Sequence, residues 1–393
     1  MKKILAMLLA LVMVMGLVAC GNKPAETTAP AETNAPAEST PETTAPAVSD
    51  VEYKIAMITD YGDITDQSFN QTTYEAVKAF SEANGVDYNY YKPSGDSTAE
   101  RVAMVDAAIV DGYNVIVMPG FAFGETLVEV ADVYPEIKFI ALDVAEGEGG
   151  FTATENVFSA VYQEELSGYM AGVAAVKLGY KHLGYLGGMA VPAVQRFGYG
   201  FLQGVDAAAK ELGIVGDIKV EYVYGNQFYG DADITAVMDT WYGEKGVECV
   251  FACGGGIWSS AAEAAAKVGG KVIGVDVDQA AIIDGMYGEG MTVTSAMKGL
   301  APTVNDVLTA IVLEDNWAAY AGKIETLGLV SADPEANYVQ IPMATTQFAE
   351  GFTAEDYAAL VAAMFDGTIA VSGDIAEFPV TEVAVEQHPA IKG

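Results

Sequence analysis

Short apolar segments alternate with amphipathic helical segments from residue 52 onward, and this alternation constrains the fold more than any other feature. Most of the apolar segments are continuous runs, which is typical of strands that helices cover on both faces. Alternating strand and helix units form parallel, doubly wound sheets. The predicted strands are Lys54–Thr59, Asp87–Tyr91, Val115–Met118, Phe139–Leu142, Leu183–Leu186, Lys219–Tyr224, Cys249–Ala252, Val272–Val275 and Thr292–Ser295.

These strands fall into two series, one ending near Val144 and one beginning at His182. Because each series starts with strand, loop and helix, we expect two similar Rossmann-like lobes with a cleft between them. The segment Phe151–Ala160 would make the first crossing, and the segment Met291–Lys298 would add a strand to the first lobe. The predicted lobes are residues 51–157 with 291–321 for lobe 1, and residues 158–290 with 322–393 for lobe 2.

The N-terminus has the pattern of an export signal. A basic "MKK" precedes the apolar run Ile4–Ala19, which is shorter than the roughly 20 residues of a membrane span and suits a secretory signal. The run ends in "LVAC", and small residues before Cys20 resemble the bacterial lipobox. We therefore predict a signal peptide over residues 1–19, lipid attachment at Cys20, and a location on the extracytoplasmic face of the cell membrane. An ordinary signal peptide with a chance cysteine is the alternative.

Residues 20–50 are rich in Pro, Thr, Ala and Glu, and Val48 is the one apolar residue larger than Ala between Asn22 and Asp50. Such a composition cannot bury a core, so this segment is predicted to be a disordered tether between the lipid and the folded body.

The charge balance limits the classes of partner. The 54 acidic residues outnumber the 19 basic ones, which gives a net charge of -35. A surface this acidic repels nucleic acid, so nucleic-acid binding is excluded. His182 and His388 are the only histidines, and no paired-cysteine zinc spacing occurs. Cys249 and Cys253 are expected to be buried small residues rather than a disulfide. No metal, cofactor or catalytic triad is predicted.

The first loop between a strand and a helix, "DYGDITDQSFN", holds acids, a ring and an amide where nucleotide-binding proteins hold glycines. In parallel α/β proteins ligands bind at this position. Asp60, Asn70 and Asp143 follow first-lobe strands and could hydrogen-bond ring nitrogens and amines, although Asp60 could equally brace its loop. Phe69 could offer its face to a flat ligand or pack under the helix. Asp66 is better suited to capping the helix.

The second lobe offers complementary groups at its strand ends. Phe228 could supply a second ring, with Tyr229 as the alternative, and Asp276 could accept hydrogen bonds from a vicinal diol. Lys298 could reach the same group and offset the buried acid. In "CGGGIWSS" no Gly-Lys-Ser/Thr sequence follows and no GxGxxG is formed, so this is not a phosphate loop. Gly254 would instead allow close approach of the backbone to a ligand.

Two bulky residues near these strand ends have open roles. Trp258 stands where a small residue is expected, and it could shape the pocket or only pack. Arg196 is expected to anchor lobe packing or to pair with an acid rather than to contact a ligand.

Several segments in order resemble one family, the basic membrane protein family of ABC importer substrate-binding lipoproteins, of the purine-nucleoside-binding type. The similarity covers about Tyr53–Leu313. The segments are "DQSFNQTTYEA", "EELSGYMAGVAA", "LGYLGGMAVPAVQRFGYGFLQGVDAA", "VIGVDVDQ" and "VTSAMKG". The resemblance implies a type I periplasmic binding protein fold, stacking by Phe69 and Phe228, and ribose binding by Asp276 and Lys298.

The expected function is therefore binding without chemistry: capture of a purine nucleoside and delivery to permease subunits in the membrane by a monomer. Two alternatives stay open. The same receptor role could serve a sugar, a furanose signal or a flavin. An exported nucleoside hydrolase would need a metal-binding aspartate cluster or an activated nucleophile.

Overall fold

The computed structural model describes residues 51–393. The predicted signal peptide, Cys20 and the tether lie outside the described residues. Within the described part, none of the helices combines the length and apolar character needed to cross a membrane.

The strands and helices alternate along the chain as the sequence predicts. The strands are β1 (Lys54–Ile58), β2 (Asp87–Tyr91), β3 (Val115–Pro119), β4 (Lys138–Leu142), β5 (Val157–Tyr162), β6 (His182–Gly187), β7 (Lys219–Tyr224), β8 (Cys249–Cys253), β9 (Lys271–Asp276), β10 (Thr292–Lys298), β11 (Lys323–Leu327), β12 (Val339–Gln340) and β13 (Ala384–Gln387). The α-helices are α1 (Phe69–Asn84), α2 (Thr98–Val110), α3 (Phe123–Val130), α4 (Glu164–Lys177), α5 (Pro192–Leu212), α6 (Ala232–Thr240), α7 (Trp258–Val268), α8 (Ala280–Tyr287), α9 (Leu300–Val312) and α10 (Ala354–Phe365).

Two sheets with the same winding form the two lobes. The first has the order β11-β5-β4-β3-β1-β2, and the second has the order β12-β10-β9-β8-β6-β7-β13. All neighbouring strands are parallel except β10 and β12. In each sheet the winding direction reverses between the first and third strand of the lobe, and ligands bind at the carboxyl ends beside such a reversal. The predicted α/β class with two doubly wound lobes is confirmed.

The predicted lobe boundaries are wrong in three places. Strand β10 pairs with β9 in the second sheet and does not join lobe 1, because it extends the parallel ladder that β9 leaves open. The chain then crosses to lobe 1, where α9 packs into the core beside α1. Strand β5 belongs to lobe 1 and pairs with β4, so the first crossing follows it. Strand β11 also pairs into lobe 1, which divides the segment expected in lobe 2.

The core of lobe 2 depends on a close crossing of α4 and α5. A Cβ atom at Gly200 of α5 would lie 2.1 Å from the backbone oxygen of Glu165 in α4. A Cβ atom at Gly204 would lie 2.1 Å from the backbone oxygen of Tyr169. Glycine is therefore required for the two backbones to touch. Cys249 and Cys253 are buried thiols beside this core, as predicted.

We expect Gly200→Ala to lower the free energy of unfolding by about 2 kcal/mol, because an added methyl group must push the two helices apart. Gly285→Ala is the matched control, since Gly285 lies in α8 and a Cβ atom there would meet no atom within 4 Å. The control should be neutral or stabilising by up to about 1 kcal/mol. Urea denaturation measures both variants, and equal effects would contradict the close crossing.

Candidate ligand site between the lobes

A cavity lies between the lobes at the carboxyl ends of their strands, and its empty space of about 580 Å³ includes a part that is open to solvent. The structure brings all the predicted site residues to its lining: Asp60, Phe69, Asn70, Asp143, Phe228, Gly254, Asp276 and Lys298. They come from seven different strand or helix ends, so the cavity exists only because the two sheets face each other.

The first wall of the cavity is built on the loop after β1. Asp60 Oδ1 accepts hydrogen bonds from Asn70 Nδ2 at 3.0 Å and from the Gly62 backbone N–H at 3.1 Å. Burial raises the pKa of Asp60, and these bonds partly oppose the shift. Asp60 thus braces the loop and lines the cavity as well. Asn70 Oδ1 is buried and has no hydrogen-bond partner within residues 51–393, which leaves it as an acceptor for a ligand.

Asp66 caps α1, as the sequence predicts. Its carboxylate accepts hydrogen bonds from the backbone N–H groups of Ser68 at 2.9 Å, Asn70 at 2.9 Å and Gln71 at 3.1 Å. These bonds satisfy N–H groups that have no partner inside the helix. The capping carboxylate also fixes the orientation of the residues that lead into the cavity.

The base of the cavity is a buried ion network around Lys298. Its Nζ lies 2.5 Å from Asp143 Oδ2, 3.5 Å from Glu164 Oε1 and 3.9 Å from Asp276 Oδ1. Burial alone lowers the pKa of Lys298, but the three carboxylates outweigh burial and raise it above its usual value. The ammonium group is therefore charged. It also lies 4.7 Å from the centre of the Phe69 ring, within range of a cation–π contact.

The two aspartates beside this lysine, Asp143 and Asp276, differ in how their carboxylate oxygens are hydrogen-bonded. Burial raises the pKa of Asp143 to about 6, although Lys298 opposes the shift. Asp143 Oδ1 is buried with no hydrogen-bond partner among the described residues, so it is a second available acceptor on a residue that lines the cavity. Asp276 Oδ2 accepts a hydrogen bond from Ser68 Oγ at 2.6 Å. Burial also raises the pKa of Asp276 above its usual value, although Lys298 opposes this shift.

Arg196 is not a cavity residue in this arrangement. Its Nε donates to Glu164 Oε2 at 2.6 Å, which confirms the predicted pairing with an acid. The pair anchors the start of α4 where the chain enters lobe 2.

The aromatic residues of the cavity come from both lobes. Phe69 opens α1 in lobe 1, and Phe228 follows β7 in lobe 2. Gly254 has a φ of +139°, and a Cβ atom there would lie 3.0 Å from the Phe228 ring. This position therefore requires glycine for the ring to seat. Tyr229 is 61% exposed, so Phe228 is the ring that faces the cavity.

Comparisons with known proteins agree with this architecture. Residues 53–332 match the family model described as ABC transporter substrate-binding protein, PnrA-like. The chain belongs to this family. It is 29% identical over 241 residues to the ABC transporter nucleoside-binding protein BmpA of Lactococcus lactis, an alignment that covers 58% of this chain and 65% of that relative.

Two further matches extend the comparison. Basic membrane protein B of Borreliella afzelii is 27% identical over 292 residues, covering 70% of this chain and 78% of that protein. An ABC transporter solute-binding protein from Aeropyrum pernix superposes with a TM-score of 0.62 at 24% identity, covering 81% of this chain and 87% of the other. The resemblance to the basic membrane protein family is thereby confirmed. The structural match confirms the predicted type I binding protein fold.

Sequence reasoning missed several residues that line the cavity. Phe121 follows β3 at the same sheet edge as Asp60, and its ring contributes to the lining. Tyr61 stacks on Phe121 with ring centres 5.8 Å apart and meets Phe228 at 6.2 Å, so these rings connect the lobes. The position of Phe121 after an apolar strand was the signal that could have found it. Val191, Val194 and Phe197 at the start of α5 also line the cavity.

Trp258 packs in the helix core of lobe 2 and does not line the cavity. Of the two roles that the sequence left open for this residue, the structure supports packing.

A second cluster of polar groups lies in lobe 2, outside the cavity. His182 Nε2 lies 3.1 Å from Glu221 Oε1, and His388 Nε2 lies 2.5 Å from Glu221 Oε2. Glu221, Glu386 and His388 are close enough to share a metal ion. Burial raises the pKa of Glu221, but bonds from Lys219, Lys245 and the histidines lower it to about 2. The ammonium groups already balance these acids, so the cluster is better explained as ion pairing between β13 and β7.

The ion network predicts a pH-dependent cost for removing Lys298. In Lys298→Met the three buried acids lose their counter-charge, and we expect a loss of about 3–5 kcal/mol in the free energy of unfolding at pH 8. When a carboxyl group has a higher pKa in the folded protein than in the unfolded chain, the folded protein loses stability as pH rises through that higher pKa. The loss of the ammonium raises the pKa of Asp143 above 6, so the destabilisation should be smaller at pH 5 than at pH 8.

Lys267→Met is the control, because Lys267 pairs with Asp239 at 2.8 Å on the surface and its side chain is 47% exposed. It should change the free energy of unfolding by about 0.5 kcal/mol or less at either pH. Denaturant titrations at pH 5 and pH 8 compare the two variants. A Lys298→Met effect that is small or independent of pH would contradict the buried network.

Proposed function

We propose that this protein captures a purine nucleoside between its lobes and delivers it to the permease of an ABC importer. One observation carries the proposal: rings from opposite lobes and free buried acceptors line the same cavity. Phe69 and Phe228 supply the rings, and Asn70 Oδ1 and Asp143 Oδ1 supply the acceptors. A flat heterocycle that bears N–H groups matches both features.

The charge of the cavity favours an uncharged ligand. Asp60, Asp143 and Asp276 line the cavity with Lys298 as the cation among its lining residues, and the ammonium is already shared among buried carboxylates. A phosphate group would bring further negative charge to these acids. The proposed ligand is therefore a nucleoside rather than a nucleotide.

The sugar end of the ligand is assigned to Asp276 and Lys298. Asp276 Oδ2 is bonded to Ser68, whereas Oδ1 lies 3.9 Å from the Lys298 ammonium. Oδ1 can accept a hydrogen bond from a hydroxyl group, and the ammonium can donate one to a sugar oxygen. The BmpA relative, whose name describes nucleoside binding, supports this choice of ligand class.

The protein is proposed to act as a monomer, anchored through lipid on Cys20 at the extracytoplasmic face of the membrane. The lipobox-like "LVAC" and the following Pro- and Thr-rich segment support this placement. Hinge closure around the ligand would present a closed form to the permease.

Binding without chemistry fits the acids of the first loop better than hydrolysis does. Asp66 is committed to three backbone N–H groups, and Asp60 is bonded to Asn70 and Gly62. A hydrolase would need carboxylates free to hold a metal or to activate water. The arrangement therefore supports a receptor.

We expect inosine, guanosine and adenosine to raise the melting temperature of the protein, because ligands that bind only the folded state stabilise it. Free ribose and riboflavin should leave the melting temperature unchanged. A thermal-shift panel at equal ligand concentrations measures this. Stabilisation by a sugar or a flavin alone would favour the alternative ligands, and release of free base from inosine would identify a hydrolase.

Asp276→Ala should weaken inosine binding about tenfold or more, because it removes a charged acceptor from the ribose site. Binding of free hypoxanthine should change much less. Phe69→Ala is the comparison, since loss of stacking costs roughly 1–3 kcal/mol per base and should weaken both ligands by a similar factor. Isothermal titration calorimetry gives the four affinities. Equal losses for Asp276→Ala with both ligands would remove the ribose assignment.

A further inference from the structure

Besides the bond from Lys298 to Asp143 at the base of the cavity, two direct hydrogen bonds join the lobes beside it. Ser68 Oγ, at the start of α1 in lobe 1, donates to Asp276 Oδ2 in lobe 2 at 2.6 Å. Gln279 Nε2, just before α8 in lobe 2, donates to the backbone oxygen of Gln67 in lobe 1 at 2.9 Å. Ser68 and Gln279 are fully buried, and neither lines the cavity. Consecutive residues of one lobe thus bind a short segment of the other.

On the lobe 2 side of this contact, two hydrogen bonds within the lobe fix the position of Gln279. Gln279 Oε1 accepts a hydrogen bond from the Val275 backbone N–H at 2.9 Å. The Gln279 backbone N–H donates to Ser295 Oγ at 3.1 Å. With its oxygen fixed on β9, the amide must direct its Nε2 toward lobe 1. The donor is therefore oriented before the lobes meet.

The lobe 1 side is oriented by the helix cap. Asp66 Oδ1 holds the Ser68 backbone N–H, and Gln71 Oε1 holds the Gln67 backbone N–H at 3.0 Å. Gln67 has a φ of +57°, and Asp276 opposite has a φ of +65°. Left-handed φ values at non-glycine residues cost energy and persist where surrounding contacts fix them. Both faces of the contact thus have a defined backbone shape.

We propose that Gln67, Ser68, Asp276 and Gln279 form a latch that sets the closed population of the protein and the residence time of its ligand. Both bonds join protein to protein, so they stabilise closure itself and contain no ligand atom. A ligand that needs the closed form binds more tightly as that form becomes more populated. Release to a permease must break both bonds. The inference rests on the proposed receptor function but not on the identity of the ligand.

Ser68→Ala tests the latch in the full-length protein. Spin labels at Val110→Cys in lobe 1 and Val268→Cys in lobe 2 report lobe separation, since both sites are exposed at 85% and 55%. We expect Ser68→Ala to shift the distance distribution toward longer distances without added ligand. With inosine as the probe, its dissociation rate should rise about tenfold or more, because the lost bond has a charged acceptor. The association rate should change little.

Ser81→Ala is the matched control. Ser81 lies in the same helix, is fully buried, and its hydroxyl has no hydrogen-bond partner in the described part of the chain. This variant should keep the wild-type distances and rates. Gln279→Ala is the second latch variant and should open the lobes in the same direction as Ser68→Ala. Circular dichroism confirms that each variant is folded before it is compared.

The two readouts separate the latch from the ligand assignment. If inosine fails to bind the wild type, the proposed ligand is wrong, while the distances without ligand still test the latch. If Ser68→Ala accelerates inosine release but keeps the wild-type distances, Ser68 acts through the ligand contact of Asp276 and the latch is overturned. The latch is also overturned if both latch variants match Ser81→Ala.

Discussion

The ion pairs between the buried ammonium group of Lys298 and three carboxylates are the interaction on which the rest of the structure depends. Lys298 ends β10 where the chain leaves lobe 2, and its partner Glu164 begins α4 where the chain enters that lobe. Its other partners, Asp143 and Asp276, end strands of opposite lobes. The ion network therefore lies on two chain crossings and at the base of the cavity together. The charge of the site and the geometry of the hinge cannot vary independently, because the same atoms determine both.

The sequence predicted the cavity more accurately than it predicted the lobes. Every predicted site residue reached the cavity because carboxyl ends of parallel strands share one edge of a sheet, and apolar strands are easy to locate. The same rule covers Phe121 after β3. The rule does not cover Val194 or Phe197, because they lie on a helix, and the face that a helix turns to the cavity depends on how the lobes pack.

The lobe boundaries failed for a different reason. An apolar strand such as β10 carries no mark of the sheet it joins, and only its pairing with β9 decides. Strand β11, "KIETL", lies at a sheet edge and has no fully buried residue, so it lacks the apolar run that identifies a buried strand. Strand β5 was not predicted, because most of its residues fall in the segment Phe151–Ala160 that was interpreted as the first crossing. Chain crossings are properties of tertiary pairing, and the local pattern of residues does not encode them.

The cap of α1 shows how one local choice determines a distant contact. Ser68 occupies the N-cap position, where a serine hydroxyl commonly bonds to the helix backbone, yet its side chain makes no such bond here. Asp66 has taken the free backbone N–H groups of the first turn, including that of Ser68. Because Asp66 and not Ser68 caps the helix, the serine hydroxyl is free to donate a hydrogen bond to Asp276 across the cleft. An acid that the sequence assigned to the helix thus leaves the Ser68 hydroxyl available for a hydrogen bond to the other lobe, so that the helix cap and the contact between the lobes share the same short segment.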